Sequence, residues 1–193
     1  KSYIIIIFLI LLLSFLFLKN ITPINKKKFS VSCFFLGAGF MLIETKGITE
    51  LALVFGSTWF VVSIVIAFVL IMAYFANLLI IKKISIKTSS IYLFILLSIF
   101  FGFFFTFSDY GNLSSTSLKI LTPAILTVPI FFSGLAFSRE LSFEKTVSVA
   151  LSSNILGAMF GGLLEYNSMY FRFRSLYFVG FFMYLMTFIF SKK

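Results

Sequence analysis

The chain has 193 residues, the size of one ordinary domain, and 61% of them are hydrophobic, against about 45–50% in a typical soluble domain. Only 11% are charged, and the mean hydropathy of +1.13 accompanies repeated apolar runs of sixteen residues or more. A soluble fold of this size cannot bury so much apolar surface. These figures exclude an ordinary soluble enzyme, a disordered chain and a nucleic-acid-binding module, and they indicate an all-α polytopic membrane protein.

Seven apolar segments can be drawn as helices that cross the roughly 30 Å hydrocarbon layer of a bilayer. They are Tyr3–Leu18, Phe29–Phe55, Thr58–Ile81, Ile91–Phe107, Leu118–Ser138, Thr146–Met169 and Ser175–Phe190. The loops between them are short, so residues 1–193 are expected to form a single transmembrane helical bundle with about seven spans. Because the sequence begins with Lys1 rather than Met, we expect it to be the C-terminal part of a longer chain.

The basic residues divide unevenly between the two sides that seven spans define. Eleven lysines and arginines fall on one side and four on the other, so the positive-inside rule makes the first side cytoplasmic. The same clusters account for the net charge of +10 without any nucleic acid. This places the C-terminus inside and Lys1 outside, in a multi-pass protein that we expect in a bacterial inner membrane.

Three charged residues interrupt the second apolar segment. Lys46 and Glu50 are four residues apart on one helix face and can pair, which favours an interfacial pair whose charged groups reach towards water. Glu44 points about 160° away from Lys46 on the helical wheel and cannot join that pair. A carboxylate at this depth is costly, so we expect Glu44 to find a polar partner on another span, with the sixth the best candidate. Such a contact is either structural or part of a polar site.

Small residues form a continuous face on the sixth segment. Ser153, Gly157 and Gly161 recur every four residues, and such a face lets another helix backbone approach closely. Gly37 and Gly39 offer a second small surface on the second segment. The sequence therefore predicts close helix packing at these positions.

Glu165 ends the row of small residues, and Arg172 follows it in the next loop. Asp109 and Arg174 lie in loops on the same side. The charged residues expected to gather at one end of the bundle are therefore Glu44, Lys46, Glu50, Asp109, Glu165, Arg172 and Arg174. This cluster is either a solvated ionic rim or a surface that docks a substrate. The chain has one cysteine, Cys33, and no histidine, so metal sites built from those residues are excluded and no cofactor is expected in this chain.

Three stretches resemble a known group of membrane proteins. They are FFLGAGFMLIETKGITELALVFGSTW at 34–59, PIFFSGLAF at 129–137 and NILGAMFGGLLEY at 154–166. Together they are similar to the C-terminal membrane region of bacterial polytopic spermidine synthase-like or S-adenosylmethionine-dependent methyltransferase-like proteins. In that family a soluble Rossmann-like domain precedes the helices, so the resemblance implies that nucleotide chemistry belongs upstream and assigns no catalytic residue here.

The resemblance implies a membrane module that anchors an upstream soluble domain and presents substrate. Its expected partners are the lipid bilayer and that domain, and its oligomeric state stays open. One conflict remains, because a domain that uses S-adenosylmethionine belongs in the cytoplasm whereas charge counting puts Lys1 outside. Either the span count is off by one or the domain lies outside. The alternative function is a transporter or channel subunit in which Glu44 lines a polar path.

Overall fold

Six helices account for nearly all of the described part of the chain in the computed structural model. The structure describes residues 9, 12, 13, 16, 29–56, 58–82, 86–105, 115–144, 146–166, 168 and 174–191. The helices are α1 (Val31–Phe55), α2 (Trp59–Ile81), α3 (Thr88–Phe105), α4 (Ser115–Phe143), α5 (Val147–Glu165) and α6 (Ser175–Phe190). The all-α prediction is therefore confirmed.

The number of predicted spans is supported only in part. Within the part of the chain that the structure describes, four helices are long and apolar enough to cross a membrane, namely Val31–Ala52, Trp59–Ile81, Thr122–Phe143 and Val147–Glu165. The apolar helices α3 and α6, which correspond to the fourth and seventh predicted spans, are shorter than these four helices. The first predicted span, Tyr3–Leu18, lies outside the described residues except at four leucines. The predicted total of seven is thus not supported by the described helices.

Helix α1 lies between α5 and α6 and also contacts α2 and α4. Its neighbours run in opposite directions. Along α1 towards its C-terminal end, the contacts with α5 advance from Ser153 to Gly161, so these two helices are parallel. Along α1 in the same direction, the residues of α6 that it contacts decrease in residue number from Tyr184 to Tyr177, so α1 and α6 are antiparallel. This alternation is the arrangement that successive crossings of one layer produce.

The bundle has an apolar interior and an apolar exterior. Leu36, Ile95 and Ile130 are no more than 1% exposed and belong to the main buried cluster. On the outside, Leu70 of α2 is 64% exposed and Ile81 is 75% exposed. Water does not favour so many exposed large apolar side chains, whereas hydrocarbon does. The fold is therefore a helical bundle of membrane type.

Helix α4 is longer than the sequence predicted. The predicted span ends at Ser138, before Arg139 and Glu140, but the helix continues to Phe143. It also runs through Pro123 and Pro129, each of which lacks the N–H that would bond a carbonyl one turn earlier. Thr127, on the turn between the two prolines, donates its hydroxyl to the Pro123 carbonyl at 2.8 Å. The extension brings the carboxylate of Glu140 into the bundle.

Candidate functional site

A buried ion pair lies towards the C-terminal end of α1. Lys46 Nζ is 2.8 Å from Glu50 Oε2, and the two residues are 3% and 4% exposed. Tyr177 of α6 donates its hydroxyl to Glu50 Oε2 at 3.2 Å, and Lys46 Nζ is 5.0 Å from the centre of the Tyr177 ring. The pairing follows from the four-residue spacing. The expectation that its charged groups reach water is wrong, because α6 covers them.

Glu44 and Glu165 are both half-buried, in contrast to the fully covered ion pair. Contacts between Ala38 and Gly161 set the register of α1 and α5. That register puts Glu165 level with Leu42, about 3 Å along the axis from Glu44. Within the described part of the chain neither carboxylate has a hydrogen bond or ion pair. The partner expected for Glu44 on α5 is therefore not found among the described residues.

The remaining charged residues of the predicted end cluster are only partly described. Arg174 is exposed at the start of α6, at the same end of the bundle as Glu50 and Glu165. Asp109 and Arg172 lie outside the described residues. The structure thus brings Lys46, Glu50 and Tyr177 into direct contact, while Glu44 and Glu165 share their end of the bundle without touching them through any described polar contact.

The predicted small-residue faces lie where helices approach most closely. A Cβ atom built on Gly157 would be 1.8 Å from the Phe34 carbonyl oxygen, and one on Gly161 would be 2.5 Å from the Ala38 carbonyl oxygen. From the other side, a Cβ on Gly37 would be 2.1 Å from the Asn154 carbonyl oxygen. The backbones of α1 and α5 can approach this closely only because these positions are glycine.

Two side chains of α5 add hydrogen bonds to this interface. Ser153 accepts a hydrogen bond from the Ser30 backbone N–H at 3.0 Å, and the Asn154 amide donates to the Cys33 carbonyl at 3.2 Å. Gly39 faces the opposite neighbour, because a Cβ there would be 2.8 Å from the ring of Tyr184 on α6. The residues predicted for helix packing thus serve two different interfaces of α1.

Sequence reasoning missed a buried carboxylate at the other end of the bundle. Glu140 is 2% exposed. Ser32 donates to its Oε2 at 2.9 Å and Tyr92 to its Oε1 at 3.1 Å, while the Ser191 hydroxyl also donates to Oε1. One sequence signal could have found it. Glu140 continues the buried stripe of Ser133 and Ala136 at helical spacing.

Hydroxyl groups rather than a described cation hold this carboxylate. The neighbouring Arg139 donates to the Ile86 carbonyl and lies 5.9 Å from the Phe143 ring centre. Ser30 donates to Glu144 Oε1 at 3.4 Å beside the same site. Hydrogen bonds of this kind to a charged acceptor are stronger than neutral ones, so the site can hold a buried negative charge. In the ranges that the structure describes, no group of three or more acidic, cysteine or histidine side chains could hold a metal ion.

An apolar cleft of about 270 Å³ lies between α3 and α6. Phe100, Phe103 and Phe104 line it from α3, while Tyr177 and Phe178 line it from α6. Tyr177 therefore contributes to both the cleft and the buried ion pair.

These features define the class of the protein as an all-α bundle of membrane type, with polar clusters at both ends and an aromatic cleft at one of them. Comparison with known proteins gives no narrower assignment: no family model, no curated protein and no solved structure matches the chain.

Proposed function

We propose that the chain is the integral membrane module of a spermidine synthase-like or methyltransferase-like protein. In this proposal it anchors a soluble domain encoded upstream and presents substrate at the end of the bundle that carries Lys46 and Glu50. The module crosses a bacterial inner membrane about seven times, with α3 and α6 completed by flanking residues.

The observation that carries the proposal is the apolar layer between the two polar ends. On α1, Leu36 and Leu42 are buried between Ser32, which contacts Glu140, and the Lys46 pair. At this level the hydroxyl of Tyr184 is hydrogen-bonded to that of Ser133. An anchor needs polar groups near the membrane surfaces and hydrocarbon between them, whereas a transporter needs a polar path across. The apolar layer supports the anchor.

Determining the sequence of the complete open reading frame tests this function. We expect the sequence upstream of Lys1 to encode a strand followed by a glycine-rich turn and a helix, the arrangement that binds a nucleotide. The purified full-length protein should then bind S-adenosylmethionine in isothermal titration calorimetry. The Glu44→Gln protein should bind it equally well, because the nucleotide site is upstream.

Three outcomes would contradict the proposal. The first is an upstream sequence without that motif, and the second is further apolar helices of inverted topology in its place, which are typical of transporters. The third is loss of S-adenosylmethionine binding in the folded Glu44→Gln protein, since that would assign the nucleotide site to the bundle.

A further inference from the structure

Three cations lie where the connection between α2 and α3 meets the C-terminal part of α4. Lys82 follows the last residue of α2 and Lys87 precedes the first residue of α3, and both are exposed. Arg139 of α4 is half-buried, and its Nη1 donates to the Ile86 carbonyl. Because Lys87 directly follows Ile86, its side chain begins beside the guanidinium of Arg139. We call Lys82, Lys87 and Arg139 the basic edge.

The guanidinium of Arg139 has donors that the described residues do not use. Its Nε is buried and has no hydrogen-bond partner in the part of the chain that the structure describes. None of the three cations forms an ion pair with a described residue. A buried donor without an acceptor costs free energy, and a guanidinium favours phosphate because it offers several N–H donors in a planar arrangement. The basic edge therefore lacks an acceptor that an oxyanion would supply.

The acidic residues of the chain leave the basic edge positively charged. Glu140 and Glu144 are the described carboxylates at this end, and Glu140 is 2% exposed and held by hydroxyl groups. Glu144 is half-buried and accepts a hydrogen bond from Ser30. Asp109 follows α3, whose C-terminal end is about 27 Å from Lys87 by the length of the helix. The sequence contains lysines but no acidic residue at 1–28, 83–85, 145 and 192–193.

Apolar side chains that are open to the bilayer adjoin the basic edge. Ile81, next to Lys82, is 75% exposed. The ring of Phe143 is centred 5.9 Å from the guanidinium carbon of Arg139, and Phe143 is 47% exposed. Cations that border exposed hydrocarbon at a helix end are at the level of lipid headgroups. This arrangement suits a molecule with both a phosphate and acyl chains better than a soluble phosphate compound.

We propose that the basic edge binds an anionic phospholipid. Its phosphate lies against Arg139 and Lys87 and supplies the acceptor that the guanidinium lacks. Its acyl chains lie along the exposed apolar side chains of α2 and α4, and Lys82 adds positive charge to the same surface. This inference does not depend on an upstream domain, so it can fail or succeed independently of the proposed function.

Native mass spectrometry of the purified full-length protein in dodecyl maltoside tests the site. The probes are phosphatidylglycerol and phosphatidylcholine with identical acyl chains. We expect phosphatidylglycerol to bind about 25-fold more tightly, because each of two basic residues at a membrane surface contributes a factor of about five. Lys87→Gln and Arg139→Gln should each weaken the binding of phosphatidylglycerol by about that factor and leave the binding of phosphatidylcholine unchanged.

A matched variant separates this site from a general attraction of anionic lipid to a basic protein. Arg174→Gln removes one positive charge at the opposite end of the bundle and should bind both lipids as the unmodified protein does. Equal binding of the two lipids, or a loss in Arg174→Gln as large as in Lys87→Gln, would overturn the proposal. Displacement of phosphatidylglycerol by an equal concentration of glycerol 3-phosphate would also overturn it, since the site would then recognise a soluble phosphate. Should Arg139→Gln fail to fold, Lys87→Gln, at an exposed residue, must still weaken the binding of phosphatidylglycerol.

Discussion

Replacing Gly157 by alanine should lower the melting temperature of the purified protein in detergent by about 5 °C or more. The new Cβ would be 1.8 Å from the Phe34 carbonyl oxygen, so α1 and α5 would have to separate. Overpacking of a core typically costs about 1–3 kcal/mol, and a displaced backbone is at the upper end of that range. Gly157→Leu should be more destabilising still.

Gly162→Ala is the matched control for this prediction. It adds the same methyl group five residues away on the same helix, but the nearest atom would be in Met41 at 3.9 Å, an ordinary contact. Its melting temperature should remain close to that of the unmodified protein, because alanine also favours helix. If the Gly157→Ala and Gly162→Ala proteins unfold at the same temperature, the close approach of α1 and α5 is wrong.

Replacing Lys46 by methionine should be the most destabilising single change among the charged residues described. It leaves the Glu50 carboxylate buried with the Tyr177 hydroxyl as its described donor. Removing one member of a buried ion pair costs about 3–5 kcal/mol, which corresponds to a fall of about 10 °C in melting temperature. Lys82→Met, at an exposed lysine, should have little effect.

A double variant shows whether the uncompensated charge of Glu50 causes the loss of stability in the Lys46→Met protein. Glu50→Gln removes the charge but keeps an oxygen that accepts the Tyr177 hydrogen bond. The Lys46→Met, Glu50→Gln protein should therefore be more stable than Lys46→Met alone. If the losses of stability of the two single variants simply add in the double variant, the Lys46 and Glu50 side chains do not interact in the folded protein.

The helices could be predicted from hydropathy because buried or lipid-exposed backbone must satisfy its own hydrogen bonds. The last helix, Ser175–Phe190, has the predicted ends. The end of α4 could not be predicted in this way, because charged residues were taken to mark the membrane boundary. Arg139 and Glu140 instead continue the helix, and Glu140 faces inwards.

The candidate site could be predicted only as far as local spacing determines it. The four-residue spacing predicts the Lys46–Glu50 pair, and the period of Gly157 and Gly161 predicts a face for close packing. Neither pattern identifies the partner helix. The contact of Tyr177 with Glu50, 127 residues apart, depends on how α6 packs against α1. Similarly, the hydroxyl groups around Glu140 come from three other parts of the chain.

The central claim is that successive helices cross the membrane in alternate directions, including the short helices α3 and α6. Reporter fusions after Lys193 and between α3 and α4, within residues 106–114, test it most directly. We expect the two reporters to lie on opposite sides of the membrane, with the one after Lys193 in the cytoplasm, where the positive-inside rule places it. If only the four longer helices cross, both reporters will lie on the same side, and that result would contradict the account.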